Sequence, residues 1–168
     1  MTDTASRLFS FPNPVNEVSA RLVAAGVILM CVAAIGLDQP WLTAVIAYGF
    51  VARVLTGPTL SPLGQLVTRV VTPRLSTPPK FVPGPPKRFA QAMGAVMSVP
   101  ACVLALGFGL RGAGYIILGM LATAATLEAV FAICLGCRIF ARLMKAGLVP
   151  ASVCEECADI SKRLARVA

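Results

Sequence analysis

Four cysteines near the C-terminal end form two pairs, Cys134 and Cys137 in "CLGC" and Cys154 and Cys157 in "CEEC", with sixteen residues between the pairs. The chain has no histidine, so thiols are its soft ligands and its readiest nucleophiles. The same absence excludes His-dependent triads, His-ligated haem, and Cys2His2 or facial-triad metal sites. Two chemistries compete for the four thiols, against the plainer reading that some of them are inert. As a string, C-x2-C-x16-C-x2-C has the spacing of a tetrathiolate site for zinc or an iron–sulfur cluster. As two dithiols, the pairs would exchange disulfides with each other or with a soluble thioredoxin-like partner. The choice depends on where the surrounding elements carry the pairs.

Those elements are apolar. The 168 residues are 57% hydrophobic and 13% charged, with a mean hydropathy of +0.82. A soluble domain carries about 25% charged residues. Four apolar stretches follow in order, at about 19–37, 41–56, 88–110 and 113–134, and the last continues in a helical pattern to 146. The expected fold is all-α, a polytopic bundle of four membrane helices (19–37, 41–56, 88–110, 113–146). A polar segment (1–18) precedes this domain (19–147), and a short amphipathic tail helix (148–168) follows it. The first fifteen residues lack an apolar core, so no cleavable leader is expected. Pro100 should kink the third helix. The link at 57–87 should hold a short amphipathic helix over "LGQLVTRVV" and then an extended Pro-rich run. Small residues, Gly94 and Ser98, Gly119 and Thr123, Gly107, Ala122, Ala125 and Ala129, point to close helix packing.

Charge sets the orientation. The long link carries Arg69, Arg74, Lys80 and Lys87, and the tail carries Arg138, Arg142, Lys145, Lys162, Arg163 and Arg166. The first hairpin has only Asp38 and the second only Arg111. By the positive-inside rule the link and both termini face the cytoplasm. Anionic lipid accounts for the net charge of +8, and no nucleic-acid role is expected. Within the spans, Arg53 and Glu128 lie at comparable depth. Arg53 is read as snorkelling or pairing across the bundle, and Glu128 as a structural partner or a protonated carboxyl, or else the two as a proton or ion path.

The two thiol pairs differ in setting. If the fourth helix continues without a break, Cys134 and Cys137 share one face at the cytoplasmic boundary, near cations that favour a thiolate. At 100° per residue both then face away from Glu128. Ser152 and Glu155 form a capping-box pattern, which puts Cys154 in the first turn of the tail helix. A four-thiol site requires a break in helix four, with Gly136 the candidate position. Cys31 and Cys102, single residues in apolar helices, are read as packing residues.

The stretches "NPVNEVSARLVAAG", "GPTLSPLGQLV", "PPKRFAQAMGAV" and "LEAVFAICLGC" resemble the bacterial membrane family named domain of unknown function 4395. The resemblance covers about residues 11–147, and the "SVCEECADI" tail is similar to its actinobacterial branch. It implies a small four-helix membrane protein with no assigned reaction, and Cys134 and Cys137 as the motif pair. It also implies thioredoxin-like or sulfurtransferase-like company. The leading expectation is a membrane thiol-redox or sulfur-relay component using Cys134, Cys137, Cys154 and Cys157. The alternatives are a scaffold in which the same four cysteines hold zinc, and a small transporter using Arg53 and Glu128. No substrate or oligomeric state follows from the residues.

Overall fold

The computed structural model describes residues 11–75, 77–150 and 153. Helix α1 spans Glu17–Gly36 and begins at Asn16, whose side chain accepts from the Val18 N–H at 3.0 Å. Helix α2 spans Trp41–Thr56, and α3 begins at Pro62–Leu66, with Ser61 as its N-cap. It continues through a π-helical turn, Val67–Val71, into Thr72–Arg74. Helix α4 covers Gly84–Cys102 and loosens into a second π turn at Val103–Gly107, just beyond Pro100. Helix α5 spans Arg111–Phe131 and α6 spans Leu135–Lys145. Two two-residue strands, β1 (Val15–Asn16) and β2 (Phe81–Val82), pair antiparallel and pin the Pro-rich link to the start of α1.

Three helices, Glu17–Gly36, Gly84–Gly107 and Arg111–Phe131, are long and apolar enough to cross a membrane, and Trp41–Thr56 is a shorter apolar one. Their outward faces are apolar too: Leu29, Val96, Phe108 and Ile116 are each about 70% exposed. A water-facing bundle would not present such a surface. The fold is an all-α membrane-type bundle. Helices α1, α2, α4 and α5 form a ring around Val27, Ile46, Phe50, Leu118 and Leu121. Cys31 is fully buried in this core, as its place in an apolar helix implies.

The two ends of the bundle differ. At the hairpin end, Arg111 meets Asp38 at 2.8 Å, and the Tyr115 hydroxyl donates to Asp38 at 2.8 Å. The two hairpin charges, single in the sequence, thus tie the hairpins together. At the opposite, polar end lie β1, β2, α3 and α6. There Glu17 bonds Lys80 through both side chain and backbone, each at 2.7 Å.

Two packing expectations change. Gly94 is a close-approach residue: a Cβ there would fall 2.2 Å from the Phe50 ring. Gly119 and Thr123 instead face outward, and a Cβ on Gly119 would meet nothing within 4 Å. A helix in a four-membered ring buries only one stripe, and theirs lies outside it. The amphipathic segment of the link forms a helix as expected, and it packs on the bundle. Leu63 covers Gly26 of α1, and Val67 is buried.

Gly94→Val should force α2 from α4 and lower stability by about 1–3 kcal/mol, the range for overpacking. Gly119→Val should leave stability nearly unchanged. Unfolding of each variant in mixed micelles by increasing SDS fraction would check both.

Candidate functional site

The polar end gathers its chemistry because α5 stops early. Ala132 adopts the left-handed conformation (φ 56°) and its N–H turns back to the Leu127 carbonyl. The Ile133 N–H reaches the same oxygen at 2.9 Å. A left-handed residue is the usual way to end a helix, though glycine ordinarily supplies it. Arg21 of α1 covers carbonyls left exposed at that end, donating to Ala129 at 2.8 and 3.0 Å and to Val130 at 3.2 Å. A cation at a helix C-terminus also complements the helix dipole.

This break corrects the continuous fourth helix over 113–146. It falls at Ala132–Cys134, not at Gly136. Gly136 instead allows α6 to lie against α4, since a Cβ there would sit 2.5 Å from the Ala90 Cα. Phe140, one turn on, is buried and packs its ring against Phe89 with centroids 5.6 Å apart.

Cys134 is the N-cap of α6, and its Sγ accepts from the Cys137 N–H at 3.3 Å. The two thiols are also hydrogen-bonded to each other. The Cys137 thiol donates to Cys134, which holds the Cys134 thiol below its ordinary range against the opposing effect of burial. The same bond, with burial, pushes Cys137 well above that range. A sulfur at the start of a helix faces the positive end of the backbone dipole, which favours its anion. The pair is therefore asymmetric, with Cys134 the thiolate-prone sulfur and Cys137 the proton-holding one.

The broken helix also reverses the orientation argument. In a regular helix both cysteines would point away from Glu128. In the structure Cys134 and Glu128 line one cavity, together with Arg53, Gln91 and Gly136. Glu128 does not pair with Arg53. Its partner is Lys87, at 2.6 Å, and both side chains are largely buried. Lys87 also lies close enough to both thiols to favour their anions, while Glu128 opposes them.

Arg53 is 5% exposed and does not snorkel out of the bundle. Its Nε donates to Gln91 at 2.8 Å and its Nη1 to Ser61 at 3.0 Å. Its guanidinium carbon lies 4.5 Å from the centre of the Phe50 ring. Lys87, Gln91, Ser61 and Arg21 were not singled out as site residues from the sequence. Lys87 and Gln91 carried a usable signal, because two polar residues four apart at the start of an apolar helix face the same way. Arg21 carried none, since its partners are backbone carbonyls more than 100 residues away, and Ser61 reads from sequence only as the cap before Pro62, not as a partner of Arg53.

Cys154 and Cys157 lie outside the described residues. Among the described residues no three Cys, Asp or Glu side chains converge as a metal site would need. A tetrathiolate would therefore have to recruit the tail pair to Cys134 and Cys137.

A family model described as domain of unknown function (DUF4395) matches residues 15–145, well over half of the chain. The chain belongs to this family. The matched region covers α1 to α6, including Cys134 and Cys137, and ends before the second thiol pair. No curated protein and no solved structure matches the chain.

Lys87→Met would leave Glu128 buried without its cation and should cost roughly 3 kcal/mol. Combining it with Glu128→Gln should recover most of the loss, because the uncompensated charge is gone. Thermal melting of the wild type, both single variants and the double variant in detergent, analysed as a double-mutant cycle, would check this. Gly136→Val should lift α6 from Ala90 and expose Cys137, read as faster Cys137 alkylation with α1–α5 intact by circular dichroism.

Proposed function

We propose that this DUF4395 protein is a thiol-exchange component of the bacterial inner membrane, with both termini and the Cys134–Cys137 pair on the cytoplasmic side. The observation that carries the reading is the Cys134 sulfur at the N-cap of α6, accepting from both the backbone and the thiol of Cys137. This arrangement makes one sulfur a nucleophile and keeps the other protonated until it is needed. The polar end also carries the Lys and Arg residues of the link and of α6, which supports its assignment to the cytoplasm.

The exchange proceeds in two displacements. The Cys134 thiolate attacks one sulfur of a partner's disulfide, forming a mixed disulfide and releasing the other partner sulfur as a thiolate. Cys137 then loses its proton to that departing thiolate or to water. It attacks the Cys134 sulfur, and the partner leaves as a dithiol. This chain is oxidised to a Cys134–Cys137 disulfide, and the reverse sequence regenerates the dithiol. A soluble thioredoxin-like or sulfurtransferase-like protein is the partner class that fits, because the pair sits at the end of the spans and is part-exposed. The branch-specific Cys154 and Cys157 would form a second pair able to take electrons from the first.

Because the folded protein lowers the Cys134 pKa, its thiolate should persist at pH values where an ordinary thiol is protonated. Alkylation at Cys134, read by mass spectrometry, should outpace Cys137 at pH 7 and slow as the pH falls through the lowered pKa. Cys137→Ala removes the S–H donor and should shift that profile upward. The same variant should trap a mixed disulfide with a thioredoxin-like protein through Cys134. Equal reactivity of the two thiols, or a profile unchanged by Cys137→Ala, would argue against the assignment. Stoichiometric zinc or iron with all four thiols protected would replace it with a tetrathiolate scaffold.

A further inference from the structure

The cavity that Cys134 shares with Arg53 and Glu128 extends well beyond the thiols. From Glu128 to Met120 along α5 it runs eight residues, about 12 Å, into the bundle. Its volume is about 250 Å³, near the lower end of small-molecule sites at about 300–1,000 Å³. Beyond the polar end its walls are apolar: Val27, Phe50, Met97, Leu121 and Ala124. Met120, on its rim, is 53% exposed on the outward face of α5, so the cavity opens sideways among residues that face lipid.

At the polar end Arg53 is incompletely hydrogen-bonded, although the Glu128 carboxylate lies near enough to act on its charge. A guanidinium has five N–H donors. Arg53 spends one on Gln91 and one on Ser61, and its remaining three have no protein acceptor among the described residues. No carboxylate bonds it among the described residues, since Glu128 is engaged by Lys87. A buried cation of this kind is costly unless something else supplies the acceptor. The chemistry of the missing piece is thus specified: an apolar body that enters from the bilayer, with an electron-rich oxygen directed at Arg53, beside a dithiol.

We propose that this cavity binds a membrane quinone, with a ring carbonyl oxygen hydrogen-bonded to Arg53 and the ring beside Cys134, and that the quinone oxidises the Cys134–Cys137 dithiol. The redox step rests on the thiol-exchange reading, whereas the binding site does not. In the reaction the Cys137 S–H bond breaks, the Cys134 sulfur reacts as thiolate with its proton already given to solvent, and one Sγ–Sγ bond forms. The two electrons, the Cys137 proton and one proton from solvent pass to the quinone, giving the hydroquinone. As electrons arrive, negative charge develops on the oxygen facing Arg53, where a desolvated cation stabilises it most. The tail of the quinone leaves past Met120 into the bilayer. The chain would then pass reducing equivalents from a cytoplasmic thiol partner to the lipid-soluble pool.

The test uses the full chain, reduced and anaerobic in detergent, with decyl-ubiquinone as the quinone and an aryl disulfide as a soluble oxidant. Loss of quinone absorbance should match formation of the Cys134–Cys137 disulfide one for one. Ala124→Phe, which fills the cavity, and Arg53→Gln should each lower the ratio of quinone rate to aryl-disulfide rate at least tenfold. Normalising to each variant's own aryl-disulfide rate separates loss of the cavity from misfolding. If the aryl disulfide oxidises the pair but the quinone does not, or if the ratio is unmoved by both variants, the quinone proposal is overturned and thiol exchange stands. If neither oxidant forms the disulfide, thiol exchange falls. Equilibrium dialysis of decyl-ubiquinone then decides the site alone: saturable binding lost in Ala124→Phe supports it, and absent binding overturns it.

Discussion

Burial of charge at one end of an apolar bundle is the constraint on which the rest of this structure turns. Lys87 and Glu128 meet at 2.6 Å, while Arg53 hydrogen-bonds only neutral acceptors among the described residues, lies over an aromatic face and feels the Glu128 carboxylate from a distance. Such an arrangement persists only if the helices that bear it are held rigidly, because each unpaired donor in a dry interior costs a kcal/mol or more, on the order of 1–3. The close contact of Gly94 with Phe50 and the capping of α5 by Arg21 supply that rigidity. The charges thus lie on α2, α4 and α5, and the packing that fixes those helices also fixes the charges.

The end of α5 converts this scaffold into a reactive site. A helix continuing past Phe131 would carry the thiols away from the bundle on the wrong face. The left-handed Ala132 turns the chain, and Gly136 and Phe140 seat α6 on α4. The turn places Cys134 both at a helix start and in the lining of the cavity. One sulfur therefore gains the backbone N–H, the thiol of Cys137 and the nearby Lys87. The hairpin end works differently. There Asp38, with Tyr115 and Arg111 bonded to it, is held below the ordinary carboxylate range, but the group is open to solvent and joins loops rather than shaping a site.

Much of the fold was legible in the residues. Apolar runs of membrane length, turn residues at 38–40 and 57–58, and the lone charges of each hairpin specify helices and their order, because these signals are local. The thiol motif and the two intramembrane charges were equally legible, since residue type alone marks them as costly or reactive. The pairing of Glu128 was not. Lys87 read as one more basic residue of the link, and although its spacing to Gln91 marks a shared helix face, it does not show which residue across the bundle that face meets. The small residues Gly94 and Gly119 look alike in sequence, yet only Gly94 sits in an interface, because the stripe a helix buries is set by its neighbours.

The sequence by itself determined an all-α apolar chain with two thiol pairs, no histidine and charges concentrated in the link and the tail, since composition and period depend on each residue alone. Tertiary structure decided which charges meet, where the last long helix stops, and that Cys134 shares a cavity with Arg53 and Glu128. These are contacts between residues about 40 to 110 positions apart, and the stop at Ala132 is stabilised by Arg21, 108 residues away from the carbonyl it caps. No local pattern encodes such distances, because the energy that selects them appears only when the four helices have packed.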